Sequence, residues 1–246
     1  LVRWRFGRGY VAEIARRRYR RMFHGARRIL DVGCGTGEAA RWANDADYVG
    51  IDLSEELVRR GAARPGRQLA AASVTALPFS DGTFDRAVVM GVLHHLAPDQ
   101  MPAALQEVAR TLEAGGEIVI VEPNPWNLFQ RLLAWVRPAE RGILGTSPRR
   151  LRRALESVAG LRLVTFAYDH TMFWPAHLTF LLRRWAWPTG PRLTACFRIL
   201  HRAVTALTPG PLQSHTFWRL RKEPPAAAGG HVPRHGTCHA QSRLTG

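Results

Sequence analysis

Lysine is all but missing from this chain. Lys222 is the one lysine among 35 basic residues, so arginine carries the positive charge and a compositional bias accounts for part of it. Acidic residues are scarce as well, 19 in 246, which leaves a net charge of +16. The three cysteines, Cys34, Cys196 and Cys238, are dispersed and odd in number, which excludes a disulfide framework. No run approaches the roughly 18 apolar residues that a membrane-spanning helix needs. The Arg-rich beginning also lacks the apolar segment of a signal peptide, so a cytoplasmic protein is the expectation. A metal cage is not expected either. His231, His235, Cys238 and His239 gather in a tail, residues 223–246, rich in Pro, Ala and Gly and without apolar periodicity, which reads as disordered.

The charge that is present lies unevenly. Residues 1–30 carry ten Arg and one acid, residues 31–125 seven Arg and fourteen acids, and residues 126–246 eighteen basic groups and four acids, or net +9, −7 and +14. An acidic centre between basic flanks favours an anionic partner: phospholipid, nucleic acid or an acidic substrate. A hydrophobic content of 46% suffices for the core of one α/β domain.

The most informative stretch is Ile29-Leu-Asp-Val-Gly-Cys-Gly-Thr-Gly37. It reads as the end of a buried strand, then three glycines at every second position where the backbone turns tightly beside a ligand and a Cβ would fill the ligand's space. The spacing Gly33-x-Gly35-x-Gly37 differs from the dinucleotide fingerprint, whose third glycine falls one residue later, and so disfavours a nicotinamide dehydrogenase. Downstream, Tyr48-Val-Gly-Ile-Asp52 is a second strand ending in an acid, placed to accept both hydroxyls of a ribose. Turn chemistry in Ala76-Leu-Pro-Phe-Ser-Asp-Gly-Thr-Phe-Asp85 leads into the strand Arg86–Met90 and then His94 and His95. A helix end, a glycine stop and another strand follow in Leu112–Glu122. Strands are expected near 29–32, 48–51, 68–72, 84–90 and 116–121, and helices near 4–24, 37–44, 54–63 and 99–112. Such alternation means a parallel sheet covered on both faces.

These landmarks, in this order, resemble the class I S-adenosylmethionine-dependent methyltransferases, and most of all the type 11 branch with its ubiquinone and menaquinone C-methyltransferases. The resemblance covers residues 27–123 well and 147–222 loosely. It implies a Rossmann-like, mostly parallel seven-stranded sheet, with helices on both faces and a helical insertion before an antiparallel last strand. It also implies S-adenosyl-L-methionine as cofactor. Asp31, Gly33, Gly35 and Gly37 would line its methionine and sulfonium part, Asp52 with Leu53 its ribose, and Ser73 with Val74 its adenine. The family often has an acid where this chain has Ser73, and Ala114-Gly115-Gly116 replaces the usual Pro-Gly-Gly.

The organisation expected is a basic N-terminal helix (1–26), a cofactor-binding core (27–123), and a C-terminal part of the same domain (124–222) whose helical insertion covers the substrate. Trp126–Trp135 is aromatic and amphipathic. Ser147-Pro148 caps a helix with Leu151, Leu155 and Val158 on one face. Strands are expected over Leu161–Tyr168 and His215–Leu220. Between them, Leu178, Leu181, Leu182 and Trp185, then Leu193, Phe197, Leu200, Val204 and Leu207, follow helical spacing on either side of Trp187-Pro-Thr-Gly-Pro191.

A sulfonium methyl is already electrophilic, so positioning of a nucleophile does most of what the reaction requires, on the order of 7–11 kcal/mol. Where a base is needed, His94 and His95 are the candidates, with Glu122, Asn124 and His170 further along the strand ends. Glu107 and Arg110 read as structural. The leading function is methyl transfer to a small, apolar or lipid-like acceptor, with peripheral association at an anionic membrane. An RNA methyltransferase using the basic flanks and a non-catalytic S-adenosylmethionine-binding protein are the alternatives.

Overall fold

The computed structural model describes residues 10–64, 67–169 and 191–224. Seven strands form one sheet: β1 (Arg28–Val32), β2 (Asp47–Asp52), β3 (Gln68–Ala71), β4 (Phe84–Met90), β5 (Leu112–Pro123), β6 (Leu161–Asp169) and β7 (His215–Lys222). Their order is β3-β2-β1-β4-β5-β7-β6. The first five are parallel, and β7 runs antiparallel to both β5 and β6. The chain leaves β1 outward to β2 and β3, then returns to place β4 on the other side of β1. The loops that follow β1 and β4 therefore diverge and open a crevice at the strands' C-terminal ends, the usual ligand edge of such sheets.

Central strands here are near-continuous apolar runs because both faces are covered. On one face, Tyr19, Met22 and Phe23 of α1 (Tyr10–Phe23) and Trp42 of a 3-10 helix (Glu38–Trp42) pack on Ile29, Val88, Val119, Val121 and Phe217. Tyr19 stacks on Trp42 with ring centroids 4.8 Å apart. On the other face, Met101, Ala104, Leu105 and Val108 of α3 (Gln100–Thr111) and Leu151 and Leu155 of α5 (Pro148–Glu156) cover Leu30, Val32, Ala87, Val89, Ile118 and Ile120. The 101/104/105/108 spacing is one helical face, and each large aliphatic side chain sealed there contributes about 1.5–3 kcal/mol. Between β2 and β3 lies α2 (Glu55–Ala62), whose first turn is capped by the Ser54 side chain accepting the Leu57 N–H.

Most expected elements form, with physical reasons where they differ. The span read as a helix at 37–44 is the five-residue 3-10 helix: Gly37 enters it in the left-handed region and Asn44 leaves at φ 52°, too short a run to nucleate an α-helix. Strand β5 begins at Leu112 rather than near 116, with its pairing to β4 interrupted between Leu112 and Glu117 around Gly115. Ser147 caps α5 as expected, accepting the Arg150 N–H. A 3-10 helix over Pro138–Gly145, between α4 (Leu128–Val136) and α5, was not expected at all. Of the insertion, α6 (Pro191–Leu207) is described. Leu178, Leu181, Leu182, Trp185, the break from Trp187 to Gly190, His170, the tail beyond 224 and residues 1–9 lie outside the described residues. No helix among the described residues is long and apolar enough to cross a membrane.

Candidate active site

Immediately after β1 the chain turns through Gly33, Gly35 and Gly37 at φ 74°, 57° and 66°, a region side chains rarely adopt. The loop is pinned to β2 by the Gly33 and Cys34 N–H groups, which both donate to the Ile51 carbonyl at 2.8 and 2.9 Å. What each missing Cβ makes room for differs. A Cβ on Gly33 would run into Val92 Cγ2, and one on Gly37 would lie 2.9 Å from Leu69 Cδ2. At Gly35 nothing among the described residues lies within 4 Å. Of the three glycines expected to clear space for a ligand, only Gly35 has open space beside it among the described residues. Gly33 and Gly37 instead let the loop settle on the segment after β4 and on β3. Cys34 turns inward as a small packed side chain, lodged where a Cβ on Gly50 would come within 2.7 Å of its Sγ.

Asp52 closes β2 and is fixed by the same loop. Its Oδ2 accepts the Gly35 N–H at 2.8 Å and its Oδ1 accepts the Ser54 N–H at 2.9 Å. Each oxygen keeps a lone pair, so the carboxylate is oriented and still able to accept two further hydroxyls. Leu53, next along, is 80% exposed. Asp31 lies beneath the loop, only 4% exposed, and accepts the Tyr48 hydroxyl. Burial pushes its carboxyl up to about 7; the Tyr48 hydrogen bond opposes the rise and the charge of Asp52 adds to it. Ser73 spends its hydroxyl on Thr75, 2.8 Å away, and the Val74 side chain is buried in the core.

The two adjacent histidines have opposite surroundings. His94 is 4% exposed, with Nδ1 2.7 Å from Glu122 Oε2 and Nε2 3.3 Å from Glu140 Oε2. Burial pushes its pKa down, but the two carboxylates outweigh that and raise it to about 9. A base needs a free nitrogen lone pair; His94 is a cation with both nitrogens engaged. His95 is exposed, its ring tilted at 43° against that of His94 with centroids 3.9 Å apart, and its pKa is lowered by desolvation and by the charge of His94. His95 is therefore neutral at pH 7. His94, His95 and Glu140 bring ligand-capable atoms within 4.8 Å of one another, and of these His94 and Glu140 are hydrogen-bonded.

Glu122 and Asn124 serve the frame of the site. Glu122, fully buried, accepts the N–H groups of Val92 and Leu93 at 2.9 and 2.8 Å as well as His94, and so sets the path of the loop after β4. Asn124, also fully buried, donates to the Pro211 and Gln213 carbonyls at 2.9 and 2.8 Å. Glu107 and Arg110 are structural, as expected: Glu107 accepts the Leu77 N–H at 2.9 Å, and Arg110 donates to the Phe79 carbonyl at 2.8 Å and to Asp81 at 2.6 Å. Glu140 escaped the sequence reading. It rides on the unexpected 3-10 helix, and Gly142 lets that helix press against the His94 backbone, where a Cβ would collide with the His94 carbonyl. Pro138 at the helix start was the available signal.

Residues 29–116 match the family model described as a methyltransferase domain. A demethylmenaquinone methyltransferase of Symbiobacterium thermophilum is 35% identical over 116 residues, which is 42% of this chain and 45% of that protein. A probable tRNA methyltransferase 9B of Homo sapiens is 36% identical over 93 residues, 37% of this chain and 20% of that protein. The chain thus spans less than half the length of these curated relatives. Among solved structures, geranyl diphosphate C-methyltransferase of Streptomyces coelicolor A3(2) superposes with a TM-score of 0.60 at 14% identity, covering 85% of this chain and 76% of that one. Residues 29–116 are thus similar in sequence to a methyltransferase domain, and the seven-stranded sheet has the fold of solved S-adenosylmethionine-dependent methyltransferases. Over 110–116 residues its sequence is similar to two demethylmenaquinone methyltransferases.

Proposed function

We propose that this chain transfers the methyl group of S-adenosylmethionine to a small, lipid-like acceptor of the quinone type, with residues 27–123 holding the cofactor and residues 124–222 covering the acceptor. One observation carries the cofactor half: Gly35, left-handed and facing open space, is hydrogen-bonded to the strand-end carboxylate of Asp52. That set suits a ligand with a diol next to a flat, close-fitting stem. Asp52 accepts the ribose hydroxyls, Leu53 lies along the nucleoside, and Ser73 and Val74 offer backbone groups to adenine. Asp31, beneath the loop, supplies a carboxylate for the methionine ammonium. The bound cofactor supplies an electrophilic methyl group; the protein orients the acceptor and excludes water.

His95 is our candidate to take a proton from an acidic acceptor: it follows β4, and desolvation, then the charge of His94, lower its pKa and favour the neutral ring. The choice of an apolar acceptor is supported by α4, which leaves Leu128, Leu132, Trp135 and Val136 exposed while burying Leu133 and Ala134. Similarity to the demethylmenaquinone methyltransferases supports the same choice. RNA is the second reading, favoured by the basic flanks and by similarity to the probable tRNA methyltransferase.

Labelled-methyl transfer into extracted membrane lipids and into bulk RNA, run beside calorimetry with S-adenosylhomocysteine, tests both halves. Label is expected in the lipid fraction. Asp52→Ala should weaken binding about tenfold or more, and His95→Gln should slow turnover about 100-fold at unchanged affinity. Label in RNA alone overturns the acceptor; unchanged affinity in Asp52→Ala removes that residue from the site.

A further inference from the structure

Away from the crevice, an open cleft of about 420 Å³ is lined by Arg20, Arg21, His24, Arg86 and Arg219. It lies where the C-terminal end of α1 meets the start of β4 and the second half of β7, on the edge of the sheet opposite the glycine loop. From Arg86 to the end of β4 at Met90 the strand spans roughly 13 Å, so the cleft and the crevice are separate places on the molecule.

Its charge is not cancelled. Two carboxylates act on this cluster: Glu117, held by Arg86 at 3.0 Å, Arg219 at 2.8 Å and Arg221 at 2.8 Å, and Asp85, which is already paired with Arg27 at 3.1 Å. With Asp85 offset by Arg27, the one charge of Glu117 against three guanidinium groups leaves a surplus of two, to which Arg20 and Arg21 at the mouth add two more. Arg86 is 8% exposed and forms the deepest part of the lining. It donates from Nη1 to the Met22 carbonyl at 2.7 Å, yet its Nε–H is buried with no partner among the described residues. A cleft that carries surplus positive charge around a guanidinium anchored on the Met22 carbonyl favours an anion. Planar guanidinium forks match phosphate oxygens in particular.

We propose that this cleft binds a phosphate-bearing small group, a phosphate monoester or diphosphate, through Arg86 at its base and Arg20, Arg21 and Arg219 around it. The proposal does not rest on the cofactor reading, since no residue of the glycine loop or of Asp52 takes part.

Calorimetric titration with inorganic pyrophosphate, at matched ionic strength and with S-adenosylhomocysteine present in saturating amount, is the test. Saturable binding with one site is expected. Arg20→Gln/Arg21→Gln and, separately, Arg219→Gln should each weaken it about tenfold, whereas Arg149→Gln/Arg150→Gln on α5 should leave it unchanged. Arg86→Lys should weaken it as much as the other cleft changes while the protein still melts cooperatively. Sedimentation with phosphatidic acid vesicles against phosphatidylcholine vesicles separates the sources: loss of the phosphatidic acid preference in the cleft variants assigns the group to a lipid, and its retention assigns it to a soluble phosphate compound. Absence of saturable pyrophosphate binding, or an equal loss in the α5 variant, overturns the site. Binding confined to RNA would do the same, because a polyanion needs no cleft.

Discussion

Burial beside Tyr48 gives the Asp31 carboxyl a folded-state pKa of about 7 against an ordinary value of 3.8. Between those values the native chain holds a proton that the unfolded chain has released, so stability falls as pH rises through the window and the penalty is complete above about pH 7. Asp31→Asn removes the charge and keeps an acceptor for the Tyr48 hydroxyl. Thermal melts should place this variant a few degrees above wild type near pH 8 and give it no advantage near pH 4; a lower melting point near pH 8 would mean that the ionised form is the favoured one. His94 gives a pH slope of the same sign in a higher window, but there the proton taken up in the fold is a gain rather than the relief of a penalty. Its pKa is raised from 6.5 to about 9, so its contribution is fully present below about pH 6.5 and lost as pH rises through 9. Glu122→Gln retains an acceptor for the Val92 and Leu93 N–H groups and removes only the charge. Proton NMR titration should then show the His94 pKa falling and the His95 pKa rising, as the neighbouring cation is lost. A His95 pKa that does not move would mean that burial alone sets it.

Among the elements, the turn Gly210–Gln213 depends on the end of β5. Asn124 donates to two of its carbonyls, and Asn127 donates to the Leu212 carbonyl at 2.8 Å. Asn124→Ala would leave buried carbonyls without donors, a cost of about 2–4 kcal/mol, read as a lower denaturant midpoint at an unchanged slope. A loss below about 0.5 kcal/mol would show that the turn finds other partners. The sequence made β1, β2, β4, α3 and α5 legible because apolar runs, glycine stops and the Ser147 cap are local signals. The glycine loop and Asp52 were legible for the same reason. The contrast between His94 and His95 was not, since it is set by Glu122 and Glu140, which are 28 and 46 residues away from His94. Nor did chain order separate the glycine that faces open space from the two that face Val92 and Leu69. Residue type announces a left-handed turn, whereas the neighbours that explain it come from other strands.

For the whole molecule, segregated charge and the exposed face of α4 combine in one expectation. Interfacial attachment needs an apolar face and cationic attraction together, and the second is screened by salt. The protein should sediment with phosphatidylglycerol vesicles at low salt and leave them at high salt, and Leu132→Ser with Trp135→Ser should release it without altering cofactor affinity. Wild type remaining in the supernatant at low salt would reduce the α4 face to an acceptor cover. The sheet order has a consequence in time as well as in space. Strand β7 sits between β5 and β6, yet its first residue follows the last of β5 by 92 positions. A ribosome adding about 5–20 residues per second needs roughly 5–20 s to make that stretch. Throughout that interval the most buried strand of the sheet shows an unpaired edge, a template to which any other extended chain can add. The nascent protein is therefore most in need of a chaperone after its methyltransferase motifs have been made and before its last strand arrives.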